Sequence, residues 1–381
     1  MKRFFPLVLA VAMMATACSD DDNNGIVNAE NVLSGDITGE LTLDASIAYE
    51  LTGTLVVTNG ATLNIPAGTT ISAQKGFGKY ILVDQGGKIN INGTADAPVV
   101  MTADDEDAAT AGYWGGLIIN GKAPISGATS GTTASTEVNN AYVYGGTDAE
   151  DNSGSITYLV LKYTGAKSSS SIEHNGLTLN AVGNGTTIEN IFVLDGADDG
   201  VEFFGGSVDV TNLLVVNSDD DMFDFTQGYT GKLTNCYGVW EAGFESSESD
   251  PRGVEADGNF DGLGADHVDQ SNFTIADMTI QNLSSFIMLD AIKIRRGATV
   301  ATTNALVING ETTDLVDLTD GKGNATDDTS VSVTYTNTVS GKEINNEKAG
   351  LTVNATVDVN PTTANAGADN SVFSWTGYSF E

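Results

Sequence analysis

Positive charge is the scarcest commodity in this chain: 16 Lys and Arg stand against 51 Asp and Glu, a formal charge of −35. Phosphate contacts need clustered Lys and Arg, so nucleic acid and anionic membrane surfaces are excluded as partners. Histidine is almost absent, and His174 and His267 are isolated in the sequence. A zinc centre and a Cys–His dyad therefore lack ligands. No Gly-x-Ser-x-Gly turn supports a nucleophilic triad, and no phosphate-binding glycine loop opens a helix. Cysteine occurs only at Cys18 and Cys236. Cys236 lies in the apolar run 233–240 and reads as a small core residue. No amphipathic helix of useful length follows Cys18. Six prolines, 44 glycines and abundant Thr, Asn, Val and Ile point instead to strands and turns.

What is present is a repeat. Glu189-Asn190-Ile-Phe-Val-Leu, Thr211-Asn212-Leu-Leu-Val-Val and Thr234-Asn235-Cys-Tyr-Gly-Val align at spacings of 22 and 23 residues. Weaker echoes begin at Thr157, Ala276 and Thr303. A period near 22 suits one coil of a parallel β-helix, because a single coil cannot bury its apolar side and stacked coils can. A β-propeller blade needs roughly 40–50 residues, which the period excludes. Equivalent asparagines are expected to stack as a ladder in one turn. Leu55–Ile71 and Ile81–Ile91 alternate apolar and polar residues between turn signals, as half-buried strands do. The fold class read from these features is all-β: a right-handed parallel β-helix with coils of about 22 residues and capping segments. The solenoid is expected over residues 31–311. Residues 312–381 form a β-rich continuation or cap, since an open β-helix end is an exposed sheet edge.

Several blocks carry a resemblance. Tyr113-Trp-Gly-Gly-Leu-Ile-Ile-Asn-Gly121, Tyr144-Gly-Gly-Thr-Asp-Ala-Glu-Asp-Asn-Ser-Gly154, Asn175-Gly-Leu-Thr-Leu179 and Gly196-Ala-Asp-Asp-Gly-Val-Glu-Phe-Phe-Gly-Gly206 resemble recurring blocks of a widespread secreted family. That family occurs in Bacteroidota and other Gram-negative bacteria and is similar to the pectate-lyase-type right-handed β-helices. The likeness covers roughly residues 50–310 and implies fold more than activity.

The N-terminus reads as a processing signal. Lys2 and Arg3 precede an apolar stretch from Phe4 to Ala17, shorter than the roughly 20 residues that span a bilayer. Ala15-Thr16-Ala17-Cys18 resembles a lipobox, which makes residues 1–17 the signal peptide and Cys18 the acylated residue. Residues 18–30 would then be an acidic tether. Ser19-Asp20-Asp21-Asp22-Asn23-Asn24 resembles the export signal of Bacteroidota surface lipoproteins, implying a lipid-anchored, outward-facing place on the outer membrane. With Cys18 committed to lipid, no intrachain disulfide remains.

Aligning the coils places charge in register. Asp198, Asp199 and Glu202 match Asp220, Asp221 and Asp224, followed by Glu255 and then Lys293. Alternation turns Glu202, Asp224, Glu255 and Lys293 to one outer face, about 4.8 Å apart. Stacked carboxylates need a cation, a basic neighbour or raised pKa values, so this row, with Arg295, is the candidate ligand-binding face. A solvated acidic face is the plainer reading. The Asp198–Asp199 and Asp220–Asp221 pairs are weaker calcium candidates, with turn-forming Asp as the ordinary alternative. Asp257, Asn259 and Asp261, with Gly262, follow the first half of a calcium loop. The closing position falls on Val268, so Asp266 or Asp269 would have to substitute. Asp20–Gly25 mimics the same pattern inside the tether and is set aside. Tyr113, Trp114, Trp240, Phe244 and Trp375 are possible sugar-stacking faces, with core packing as the alternative.

The reading that unites these features is a surface lipoprotein serving as a binding or accessory module. Its ligand would be glycan, peptide or a partner in an outer-membrane transporter complex. A polysaccharide lyase would need calcium and a base such as Lys293, Arg295 or Arg296. A hydrolase would use two of Glu202, Asp224 and Glu255. A structural surface coat is the third class. For the N-terminal reading, Cys18→Ala should leave a soluble or unprocessed protein, while alanines at Asp20, Asp21 and Asp22 should retain it in the periplasm. Protease shaving of intact cells checks this; equal exposure of wild type and the Asp-less variant contradicts the export signal.

Overall fold

Alternating apolar residues in each short run share one interior, and stacking the runs makes that interior continuous. The computed structural model describes residues 31–169, 172–336, 338–340, 343–348 and 353–380. The expected leader, Cys18 and the whole acidic tether lie outside these. The chain is a parallel β-helix: among the described residues, 24 strands join through parallel pairings, with a separate two-stranded antiparallel hairpin. Each coil contributes to three sheets. The first holds Ile188, Val210, Leu233 and Ile275 in register. The second holds Leu213, Cys236, Met278 and Ala305. The third holds Leu177, Val201, Phe223, Val254, Ile292 and Val316. All of these are sealed from solvent in one apolar column, Cys236 included.

The expected asparagine ladder forms at the corner between the first and second sheets. Asn190, Asn212 and Asn235 take φ of 60°, 58° and 56°, a left-handed conformation that asparagine tolerates better than most residues. Asn212 Nδ2 donates to Asn190 Oδ1 at 3.0 Å, and Asn235 Nδ2 to Asn212 Oδ1 at 2.8 Å. The weaker echoes occupy the same corner: Tyr158, Asp277 and Asn304 share the left-handed turn, and Asn304 donates to Asp277 at 2.6 Å.

The solenoid runs on past residue 311 through Glu311–Asp317, Ser330–Tyr335 and Thr356–Val359. The chain then turns back as a strap along the ladder corner. Asn304 Oδ1 accepts from Ala366 N at 2.7 Å, and Asn235 Oδ1 from Asp369 N at 2.7 Å. Phe373 is buried on the outward apolar side chains Phe192, Leu214, Val216 and Tyr237. The C-terminal segment therefore both continues the coils and wraps them.

Phe223 and Phe225 are fully enclosed, and Phe203 stacks on Phe225 at 4.7 Å. Phe223→Ala should cost about 3–5 kcal/mol, as buried Phe truncations do. Asn212→Ala should cost about 1–2 kcal/mol from left-handed strain, plus the ladder bonds. Urea denaturation of the two variants against wild type measures both losses; a neutral Asn212→Ala would contradict the ladder's contribution.

Candidate functional site

The outward side chains of the third sheet make the site. Thr178, Glu202, Asp224, Glu255, Lys293 and Asp317 are paired rung by rung, the order expected from the repeat. Two residues before each core position runs a second row: Asn175, Asp199, Asp221, Arg252, Asp290 and Asp314. Its backbone is joined by Gly176 N to Asp199 O, Gly200 N to Asp221 O, Met222 N to Arg252 O and Gly253 N to Asp290 O. Asp199 Oδ1 also accepts from Asp221 N at 3.0 Å, and Asp221 Oδ1 from Arg252 N at 2.7 Å. The paired aspartates thus serve the turn and face the site together.

The expected open acidic face is instead half-enclosed. The hairpin of Ala134–Thr136 and Asn139–Tyr144 lies over the first rungs; Val138 and Tyr142 pack on the outward Tyr80, Leu82 and Ile118, and Tyr144 on Phe204. Tyr144 donates to Gln227 Oε1 at 2.6 Å. A cleft of about 230 Å³ opens between Tyr144, Phe204, Gln227 and the exposed Phe260, with Glu137 on its rim.

Enclosure sets the electrostatics. Burial pushes Glu202 well above the usual carboxylate range, reinforced by Asp224, by Glu137 and by hydrogen bonding to Asp224. Burial also raises Asp224, but bonding to Glu202 and the nearby Arg295 and Arg252 oppose the rise. Glu202 and Asp224 are paired on adjacent rungs, and hydrogen bonding between them raises the one and lowers the other. Burial raises Asp198 and Asp199 well above the ordinary value too, aided by neighbouring acids. Asp220 is pushed up to about 7, by burial and then by Asp250. Further along the row the charge is compensated. Arg252, buried, bonds Asp290 at 3.0 Å and Asp250 at 2.8 Å and pairs with Glu255. Arg295 also pairs with Glu255, and Lys293 Nζ meets Asp317 Oδ2 at 2.5 Å.

Among the described residues, acidic oxygens converge within 4.8 Å in four groups: Asp198–Asp199–Asp220, Asp199–Glu202–Asp224, Asp221–Asp224–Glu255 and Asp290–Asp314–Asp317. A hard divalent cation takes oxygen ligands of this kind, though six to eight of them. The 257–266 loop is not among these groups. Asp257 carries Arg295 at 2.7 Å and Arg296 at 2.6 Å; Asn259 Oδ1 accepts from Gly264 N at 2.9 Å; Asp261, Asp266 and Asp269 face solvent. Arginine fills the place that calcium would need. Lys293, Arg295 and Arg296 are likewise held in ion pairs, which leaves none of them poised as a base in this arrangement.

The other candidates fall in the framework. Trp114 and Trp240 are sealed in the core, their Nε1 atoms donating to Lys162 O at 2.8 Å and Ser218 O at 2.7 Å. Tyr113 joins them, Phe244 packs on Phe286, and Trp375 meets Tyr158 in the strap. His174 lies between Phe77 and Tyr80, and burial lowers it to about 4, so it is neutral. The residues that sequence reading missed are Asn175, Arg252, Asp290 and the hairpin's Glu137 and Tyr144. The row was detectable by counting two residues back from each aligned core position; the hairpin, an insertion between coils, carried no repeat signal.

The profile of the pectate-lyase-like β-helix domain matches residues 35–379. Similar solved structures include the enzymatically active domain of tailspike protein 2 of bacteriophage CBA120, at 9% identity, covering 82% of this chain and 41% of that one, with a TM-score of 0.32. The catalytic domain of a GH87 α-1,3-glucanase in complex with tetrasaccharides shares 13% identity over 86% of this chain and 69% of that one, with a TM-score of 0.34. The Dettilon tailspike protein shares 12% identity over 84% and 61%, with a TM-score of 0.23. The chain thus spans less than half the length of the CBA120 tailspike domain. No curated protein matches it. With its described length matched almost throughout, the chain belongs to the family of pectate-lyase-like β-helix domains.

Proposed function

We propose that this protein is a lipid-anchored module of the bacterial outer surface that binds glycan on the outward face of its third sheet. The observation that carries the reading is the cleft lined by Tyr144, Phe204 and Phe260 with Glu137 on its rim. Aromatic rings offer apolar faces to sugar C–H groups, and carboxylates accept from hydroxyls in charge-assisted bonds. Phe204 sits on the third sheet and Tyr144 on the hairpin packed against it, a fixed arrangement that limits the ordering cost of binding. An acidic cleft also disfavours polyuronates, which would meet like charge. The lipid on Cys18 and the acidic tether would hold this face outward.

Glycoside hydrolysis is a second reading, favoured by one observation. Glu202 and Asp224 are two carboxyls on adjacent rungs with oxygens no more than 4.8 Å apart, and retaining glycosidases use two carboxyls roughly 5 Å apart as acid and nucleophile. One experiment separates the two. Incubated with neutral, aminated and acidic oligosaccharides, the protein should bind without releasing reducing ends, and Phe260→Ala should weaken affinity about 5–10-fold, as for loss of a 1–1.4 kcal/mol aromatic contact. Release of reducing ends that Glu202→Gln abolishes would establish hydrolysis instead. Absence of binding to every oligosaccharide class would contradict the glycan reading.

A further inference from the structure

Two cavities meet beneath the hairpin. The outer is the cleft of about 230 Å³. The inner holds about 10 Å³ and is lined by Glu137, Glu173, Asn175, Thr178 and Tyr144 among others, room for one small polar group. Glu137, Tyr144 and Phe204 border both, which makes the two cavities neighbours.

The inner cavity presents acceptors. Asn175 is 4% exposed; its Nδ2 is spent on Glu202 Oε2 at 2.6 Å and Thr178 Oγ1 at 3.3 Å, and its buried Oδ1 has no partner. A buried carbonyl oxygen left unpaired costs free energy that a donor would recover. Glu137, Glu173 and Glu202 surround it. Lys167 already pairs with Glu173 at 3.2 Å and with Glu248 at 3.0 Å, while Arg252 and Arg295 both hold Glu255, so no cation among the described ion pairs meets Glu137. The group that fits is therefore small, donor-rich and positive. An ammonium has three donors and no acceptor. The outer cavity, walled by Tyr144, Phe204 and Phe260, suits the ring that would carry it.

We propose that the site selects sugars bearing a free amine, seating the ammonium on Asn175 Oδ1 and Glu137 and the ring against Tyr144, Phe204 and Phe260. The proposal rests on the glycan reading and names its ligand class. Neutral sugars would leave Asn175 Oδ1 to a hydroxyl or a water, and an N-acetyl group would be too large for the inner cavity and would forfeit the charge.

Calorimetric titration of the full chain with hexamers of glucosamine, N-acetylglucosamine and glucose tests this directly. The glucosamine hexamer should bind at least tenfold more tightly than the other two, and Glu137→Gln, at the rim where folding is not at stake, should lower its affinity severalfold. Asp328→Asn, an exposed acid on the last coils, controls for general attraction to a protein of charge −35. If it weakens glucosamine binding as much as Glu137→Gln does, the attraction is diffuse and the proposal is overturned. Equal or tighter binding of the neutral hexamers overturns it too, while leaving the glycan reading standing. If none of the three binds, both fall.

Discussion

Coils stacked about 4.8 Å apart force every residue to lie beside its equivalents above and below. Whatever a position carries, it carries as a row. Rows of Phe, Val and Ile give a continuous dry column, and a row of asparagines gives a self-complementary ladder, since each amide both donates and accepts. A row of carboxylates has no such solution. Each member accepts only, and each repels the next, so the stack can persist in a semi-enclosed place only by binding a proton, a cation or a ligand. Glu202 and Asp224 lean to the first course, since burial raises both above the usual carboxylate range. Glu255 takes the second, through Arg252 and Arg295. The cavity around Asn175 is left for the third.

The division between compensated and uncompensated rungs locates the site. From Glu255 onward, the arginines and Lys293 interleave with acids, and the surface reads as a locked ion-pair lattice. Such pairs, once half-buried, punish removal of one partner more than they reward the pair's presence. Toward the hairpin the acids outnumber their partners, and the hairpin itself keeps water away. The same insertion that raises the pKa values also supplies Tyr144 and Glu137, so enclosure and recognition come from one element.

Much of this was legible in the sequence because a solenoid repeats its instructions. The asparagines at 190, 212 and 235 set the period, and the period in turn predicted Glu202, Asp224, Glu255 and Lys293 on successive rungs. Alternation within each strand correctly sent Val201, Phe203 and Phe223 inward. At the Asp257 loop, ligand spacing along the chain says nothing of what arrives from the next coil; there Arg295 and Arg296 pair with the carboxylate. The hairpin was illegible for the opposite reason, as a segment outside the repeat with short strands. Trp114 and Trp240, read as possible sugar platforms, are core because their indole N–H groups find carbonyls inside the coil.

The account stands or falls on carboxyls that keep their protons at neutral pH. A group whose folded pKa lies above its unfolded value binds more protons in the native state across that interval, so its stabilising contribution is full below the unfolded value and lost as pH rises through the folded one. For Asp220 that interval runs from 3.8 to about 7, and Glu202 is raised in the same direction from 4.5. The most direct measurement is unfolding free energy from pH 5 to pH 8 for wild type and for the Glu202→Gln, Asp224→Asn double variant. Wild type should lose stability steadily as pH rises, and the double variant should lose distinctly less. Parallel curves, or a wild type that gains stability over that range, would show the row to be ordinary ionised surface.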